Sequence, residues 1–135
     1  MVCLMLVAEL KTLPGPSIVL YAWQQSRNRQ GTLLESTDHL GLIAGTAQVP
    51  IYGLSGQHIG RRMTGGHVFT LERIGAQAAE LVLAIANGAR AQDIPVQASA
   101  DVPTFDWRQL QRWGIDENQL PANRVIQTSR FVCIA

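Results

Sequence analysis

The sequence predicts an α/β domain of three layers, in which helices cover both faces of a mainly parallel sheet. Two apolar runs of strand length, Ser17–Trp23 and Val49–Leu54, show no alternation with polar residues, as is typical of strands covered on both faces. A helical pattern lies between these runs, and a stronger one follows them. This order predicts a βαβ unit with a right-handed crossover.

The first residues predict a buried helix from about Cys3 to Leu13, because Leu, Val, Met and Ala recur there at helical spacing. The run Pro14–Pro16 ends that helix. Met1–Ala8 is as apolar as the core of a signal peptide, but no basic residue precedes it, and Glu9 and Lys11 interrupt it. No apolar stretch reaches the length of about 20 residues that a membrane span requires.

The segment between the two apolar runs predicts a polar loop, Gln24–Thr32, and then a helix over about Ser36–Gly45. Ser36 or Thr37 is expected to cap this helix, and Asp38 suits its positive N-terminal end. Its apolar residues share one face: Leu40, Ile43, Ala44 and Ala47.

The clearest helical pattern begins after Thr70 and ends before Gly88, a residue suited to a helix C-terminus. Apolar residues recur in it at steps of three and four: Leu71, Ile74, Ala78, Leu81, Val82 and Ile85. The spacing predicts one long amphipathic helix.

The last third of the chain predicts short elements. Asp93–Val96 reads as an extended piece, and Asp106 is expected to cap a helix that Gly114 closes. Asp116–Gln119 repeats the same capping pattern for one turn, and Arg124–Ile134 favours a strand.

Length and composition indicate one folded domain, residues 1–135, since 135 residues with 47% apolar and 16% charged side chains can form a core of their own. A net charge of +1 offers no electrostatic footprint for nucleic acid. The basic residues are ten Arg and the single Lys11, which leaves little room for a Schiff-base lysine.

No cofactor or metal site is predicted. Cys3 and Cys133 lie at opposite ends of the chain, as free thiols or as a disulfide in an oxidising compartment. The three histidines, His39, His58 and His67, lack the spacing of a metal site.

Two glycine-rich motifs resemble catalytic ones without completing them. Gly53–Gly56 resembles a nucleophile elbow around Ser55, but its second glycine comes one residue early. Gly60–Gly66 resembles a phosphate loop, but it lacks the required Lys and Ser or Thr. No catalytic residue is therefore predicted, and an esterase acting through Ser55 stays a remote alternative.

The loops after Trp23 and after Leu54 are expected on one edge of the sheet, where open α/β sheets bind ligands. Trp23 can stack on a ligand there or can pack into the core.

Several ordered motifs resemble the C-terminal lobe of the ABC-transporter substrate-binding family, which has a two-lobed periplasmic-binding fold. They are Val49–Leu54, Gly65–Phe69, Gly75–Leu81 and Asp93–Val96. The tail Phe105–Ile115, within a region of short helices at 103–127, is similar to the variant found as the sensor domain of bacterial membrane histidine kinases.

The resemblance implies an extracytoplasmic, periplasmic location within a larger protein, a second lobe before residue 1, and a small organic solute bound between lobes. It points to six ligand-binding residues: Trp23, Gln24, Ser55, Gln57, Thr64 and Gly66. The expected partner is a membrane kinase module in a two-component system, or an ABC permease if the domain serves transport. The face that would meet a second lobe also makes a homodimer plausible.

Overall fold

The computed structural model describes residues 2–27, 30–98 and 101–127. Its helices are α1 (Val2–Thr12), α2 (Ser36–Thr46), α3 (Leu71–Ala86) and α4 (Trp107–Trp113). Its strands are β1 (Val19–Tyr21), β2 (Ser26–Arg27), β3 (Leu33–Leu34), β4 (Ile51–Gly53), β5 (Gly65–Val68), β6 (Val102–Asp106) and β7 (Val125–Gln127). Short 3₁₀ turns occupy Gly56–His58, Ala91–Asp93 and Glu117–Gln119.

Five strands form one sheet in the order β1-β4-β5-β6-β7. The pairs β1–β4, β4–β5 and β6–β7 are parallel, and only β5–β6 is antiparallel. The α/β class with a mainly parallel sheet is thus confirmed. The strands β2 and β3 form a separate antiparallel pair, in which β2 lies within the predicted loop Gln24–Thr32 and β3 lies just after it.

Helices α1 and α2 cover one face of the sheet and enclose the core. Leu40 and Ile43 of α2 are almost completely buried, and Leu6, Val7 and Leu10 bring α1 onto the same cluster. The strands contribute Tyr21, Ile51 and Val68, and the loop before β5 contributes Met63. The predicted apolar faces of the first two helices therefore do form the core.

The opposite face of the sheet carries one side-chain row across all five strands. Register places Leu20, Tyr52, Gly65, Phe105 and Ile126 side by side. Phe105 is buried, and its ring occupies the space that a Cβ at Gly65 would need. Leu20, at the β1 end of the row, is 67% exposed, so this face is open around β1.

Two strands differ from expectation. The pair Gly65–Gly66, predicted as a loop, begins β5. Only glycine fits in the strand at position 66, because a Cβ there would overlap the Gly53 carbonyl oxygen of the neighbouring strand. The strand β6 lies where no strand was predicted, since Pro103 and Thr104 break its apolar run. The predicted extended piece Asp93–Val96 begins at the end of a 3₁₀ turn, and Ile94 after that turn has an extended backbone without belonging to a strand.

The helix ends mostly follow the predicted capping. Thr70 accepts from Arg73 N–H at 3.3 Å, and Gly114 closes α4 with φ of 64°. The predicted caps of α2 are wrong, because Glu35 precedes the helix and Ser36 already lies inside it.

Three sequence expectations extend beyond the described residues: the C-terminal strand, the pairing of the two cysteines and the absence of a membrane span. The strand-favouring segment Arg124–Ile134 is described only as far as Gln127, where it contains β7. Cys133 and the side chain of Cys3 are not described, so their pairing stays a prediction. Within the described ranges, no helix combines the length and apolar character that a transmembrane span needs.

Candidate functional site

The carboxyl ends of three parallel strands meet at one edge of the sheet, which we call the carboxyl edge. Loops leave it after Tyr21 of β1, Gly53 of β4 and Val68 of β5. Two of these loops are joined by backbone bonds: Phe69 N–H donates to the Leu54 carbonyl at 2.9 Å, and Gly56 N–H donates to the Phe69 carbonyl at 2.9 Å. These main-chain bonds hold the loops after β4 and β5 together, and we call these two bonded loops the floor of the carboxyl edge.

Three aromatic rings lie close together at the carboxyl edge. Trp23 is 56% exposed, and its ring lies 6.5 Å from that of His58, tilted by 40°. His58 is fully buried and meets Tyr21 edge to face, with ring centroids 5.1 Å apart. We call Trp23, His58 and Tyr21 the Trp23 shelf, because it presents one indole to solvent on a buried support.

A chain of polar bonds holds His58 in place. The Tyr21 hydroxyl donates to the Ser36 carbonyl at 2.7 Å, and it lies 2.9 Å from Ser36 Oγ, which in turn lies 3.3 Å from His58 Nε2. All three contacts are satisfied when Ser36 Oγ donates to the Tyr21 oxygen and accepts from His58 Nε2–H. This arrangement leaves Nδ1 of His58 as the bare nitrogen, and no described residue bonds to it.

Burial shifts the pKa values of His58 and Tyr21. Removal from water, assisted by the nearby Arg61 charge, lowers the pKa of His58. Burial also raises the pKa of Tyr21, although its bond to Ser36 opposes that rise. Both shifts favour neutral rings, so the support beneath Trp23 is an uncharged, aromatic one.

Four of the six predicted ligand-binding residues lie at the carboxyl edge. Trp23 and the half-buried Gln24 follow β1, and Gln57, which is exposed, precedes His58. Ser55 lies in the same loop but is only 1% exposed, and it pairs with Phe69 through a backbone bridge. Trp23, Gln24 and Gln57 can therefore reach a solute, and Ser55 belongs to the floor.

The other two predicted residues are not brought to this edge. Thr64 stands before β5, where its N–H donates to the carbonyl of Ile51 at the start of β4, and its side chain has no exposed surface. Gly66 lies within the sheet, paired with Thr104. The prediction placed both in a loop, but Gly66 lies in β5 and Thr64 directly precedes that strand, so both serve the sheet.

The sequence alone did not identify Ser36 and Tyr21 as the residues that hold His58 in place. Ser36 and Tyr21 are 15 residues apart, and Ser36 and His58 are 22 residues apart. No local motif links such positions, so only the crossover from β1 to β4 brings them together. The available signal was a tyrosine at the end of the first strand, a serine at the start of the following helix and a histidine after the next strand of one βαβ unit.

The Ser36–His58 contact has part of the geometry of a hydrolase dyad. Both residues are buried, at 2% and 0% exposure, so a substrate cannot reach the hydroxyl in this structure. No described residue accepts a bond from His58 Nδ1, where a third member of a triad would stand. The pair acts here as a structural support.

Among the described residues, no cluster of three His, Cys, Asp or Glu side chains forms a metal site.

Two surface depressions lie along α3, away from the Trp23 shelf. One, of about 280 Å³, is lined by Arg73, Gln77, Glu80 and Gln97. The other, of about 240 Å³, is lined mainly by Leu81, Ile85, Ile94, Pro95 and Val96. The Trp23 shelf itself is an open platform.

Comparison with known proteins shows the fold alone. No protein-family model and no curated protein matches the sequence. A solved structure that resembles the chain is the "Crystal structure of conserved domain protein" from Vibrio cholerae O1 biovar El Tor, with a TM-score of 0.57 and 17% sequence identity. The match covers 94% of this chain and 40% of that one, so the chain spans less than half the length of the protein it resembles.

Proposed function

We propose that this chain is a solute-binding lobe and that it holds a small organic molecule against Trp23 at the carboxyl edge of its sheet. The observation that carries the proposal is the Trp23 shelf: an indole 56% exposed on a fully buried, uncharged support. An exposed tryptophan at the carboxyl end of a parallel strand offers a flat apolar surface for a ligand. The flanking amides of Gln24 and Gln57 add donors and acceptors for its polar groups.

The expected solute is small, neutral or zwitterionic, and flat or apolar on one side. No charged side chain belongs to the shelf, and its histidine is held neutral by burial. An open platform makes contact on one side only, so the affinity of this chain alone should be weak. A second wall would raise that affinity by enclosing the solute.

The setting we propose is the extracytoplasmic sensor domain of a two-component histidine kinase. It rests on the resemblance of Phe105–Ile115 to such sensor domains, and the described part of this segment forms the end of β6 and helix α4. In that setting solute binding would shift the equilibrium between open and closed lobes and pass a signal to the kinase. A kinase module encoded in the same reading frame would support this setting, and an adjacent permease gene would favour transport instead.

A titration followed by NMR tests solute binding. The standard amino acids and simple aromatic carboxylates are added to the ¹⁵N-labelled chain, and we expect one class to shift the indole N–H signal of Trp23 together with the amides of residues 55–58. Trp23→Ala should weaken binding by about tenfold, which corresponds to about 1.4 kcal/mol.

Trp107 provides a matched control, because it is 43% exposed and begins α4 at the opposite edge of the sheet. Trp107→Ala should leave the affinity unchanged. If no solute shifts the Trp23 signal, or if the shifts concentrate around Trp107, the proposed site is wrong.

A further inference from the structure

Among the described residues, nothing covers the apolar side of α3. The helix has 16 residues and none is buried. Leu71 and Val82 are 68% and 65% exposed, and Ile74 and Ile85 are 43% and 47% exposed. By contrast, the 11 residues of α2 include five buried ones. A helix with such an apolar side in water lacks the packing from which most helical stability comes.

The rest of the chain covers a different side of α3. The segment after the 3₁₀ turn at Ala91–Asp93 runs beside the helix, and Gln77 Nε2 donates to Gln97 Oε1 at 2.9 Å and to the Ala98 carbonyl at 3.0 Å. This contact half-buries Gln77 and Leu81. It leaves open the line of residues that we call the α3 stripe: Leu71, Ile74, Ala78, Val82 and Ile85.

The α3 stripe reads the same in both directions. Its members are separated by three, four, four and three residues, with the small Ala78 at the centre. A twofold axis at Ala78 that places two copies of α3 antiparallel therefore sets Leu71 against Ile85 and Ile74 against Val82. Ala78 then meets its own copy, where a methyl group lets the helices approach closely. Such self-complementarity is what a twofold interface requires, since the same patch must serve both subunits.

The same pairing avoids electrostatic conflict. The charged residues Glu72, Arg73 and Glu80 lie roughly 120° to 160° around the helix from Ala78. They therefore point away from the proposed contact, so no like charges meet there. The antiparallel arrangement also places the positive end of each helix dipole beside the negative end of the other.

The exposed apolar surface continues beyond the α3 stripe. A standard interface removes about 800 Å² from each partner. The groove lined by Leu81, Ile85 and Val96 adjoins the end of the stripe to which the twofold axis brings the partner's Leu71. Helix and groove together provide a continuous apolar surface.

We propose that the α3 stripe is the interface of a homodimer, in which two copies of this chain pack their α3 helices antiparallel about Ala78. The proposal does not depend on solute binding, because the stripe and the Trp23 shelf share no residue.

Sedimentation of the 135-residue chain over about 1 to 300 µM tests it. We expect a monomer–dimer equilibrium that Val82→Glu weakens by at least about tenfold, because the substitution places two carboxylates in an apolar contact. Leu83→Glu is the matched control: Leu83 is 61% exposed and is the next residue along the helix, but it points away from the stripe. Its dissociation constant should stay within about twofold of the wild-type value.

A cross-link gives an independent readout. Cysteine placed at Ala78 should form an intermolecular 78–78 disulfide on mild oxidation, identified by peptide mass spectrometry, whereas cysteine at Ala76 should not. A monomer at every concentration, equal effects of the two glutamate substitutions, or a 76–76 link as strong as 78–78 would overturn the proposal. Loss of the dimer on Leu20→Glu but not on Val82→Glu would assign the interface to the open sheet face and would also overturn it.

Discussion

The absence of a Cβ at Gly53, Gly65 and Gly66 allows the strands of the sheet to pack closely. These residues have no space for a Cβ, which would overlap the Met63 sulfur at Gly53, the Phe105 ring at Gly65 and the Gly53 carbonyl oxygen at Gly66. They form part of two adjacent strands, so the close approach is a property of the sheet and not of a turn. The glycines that resemble a catalytic loop in the sequence are explained by this packing.

Gly66→Ala should therefore destabilise the protein by at least about 2 kcal/mol, since its methyl group must displace the Gly53 carbonyl. The free energy of unfolding in urea measures this loss. Gly41→Ala is the control, because Gly41 lies in α2 with no atom near an added Cβ and the change should stabilise by about 0.5–1 kcal/mol. Equal effects of the two substitutions would show that space at Gly66 is not limiting.

The buried His58 should make stability depend on pH. Its pKa in the folded chain lies below the ordinary value of 6.5, so the unfolded chain takes up a proton first as the pH falls. The stability from a neutral His58 is then fully present above about pH 6.5 and is lost as the pH falls through the folded-state pKa. We expect His58→Gln to flatten the dependence of the unfolding free energy on pH.

Unfolding in urea between about pH 7.5 and 5.5 measures this slope. The control is His67→Gln, which removes an exposed imidazole from β5 and shows whether the loss of any histidine side chain changes the slope. A slope in His58→Gln that equals the wild-type slope would contradict the interpretation.

Helix ends set the boundaries of the secondary structure elements. The Asp106 carboxylate accepts from the Arg108 N–H at 2.9 Å, and Asp116 does the same for Asn118 N–H at 2.9 Å. Asp106 is 2% exposed and ends β6 as it begins α4, so one residue connects the strand to the helix. A cap in this position fixes the direction of α4 as well as its start.

Asp106→Ala should cost about 1–2 kcal/mol in the free energy of unfolding, because it leaves helix N–H groups without an acceptor in a buried place. Asp106→Asn keeps an acceptor oxygen and should recover at least half of that loss. Thermal or urea unfolding of both variants measures the difference. If Asn is as harmful as Ala, the carboxylate charge and not the cap is what matters.

At the scale of the whole molecule, stability is distributed unevenly. The cluster between α1, α2 and the sheet contains the apolar core, whereas no residue of α3 is buried, and the described segment that follows α3 contacts it through Gln77. Elements with few buried contacts open locally at low free-energy cost. The dimer we propose would remove this weakness by burying the α3 stripe.

Hydrogen exchange should reveal this difference. In dilute solution, amides of α3 should exchange at least about tenfold faster than those of α2, although α3 is the longer helix. Protection of α3 should increase with protein concentration, while that of α2 stays constant and serves as the internal control. Equal protection of both helices in dilute solution would show that α3 is stabilised within the single chain.

The sequence by itself determined the local features of this protein. The α/β class, the positions of α1, α2 and α3, the stop at Gly114 and the caps at Thr70, Asp106 and Asp116 all follow from periodicity and capping, which act over a few residues. Trp23 could be placed at the end of the first strand on the same grounds. These features need no knowledge of distant residues.

Only the tertiary structure decided the rest, because those features depend on residues far apart in the chain. The strands β5 and β6 are held by their neighbours and not by their own propensity, so Gly65–Gly66 and Pro103 concealed them. The burial of Ser55 and Thr64 arises from the pairing of β4, β5 and their flanking residues, and the support that Ser36 and Tyr21 give to His58 arises from the crossover between β1 and β4. The sequence shows that α3 has an apolar stripe, and the packing of residues 2–27, 30–98 and 101–127 leaves that stripe uncovered.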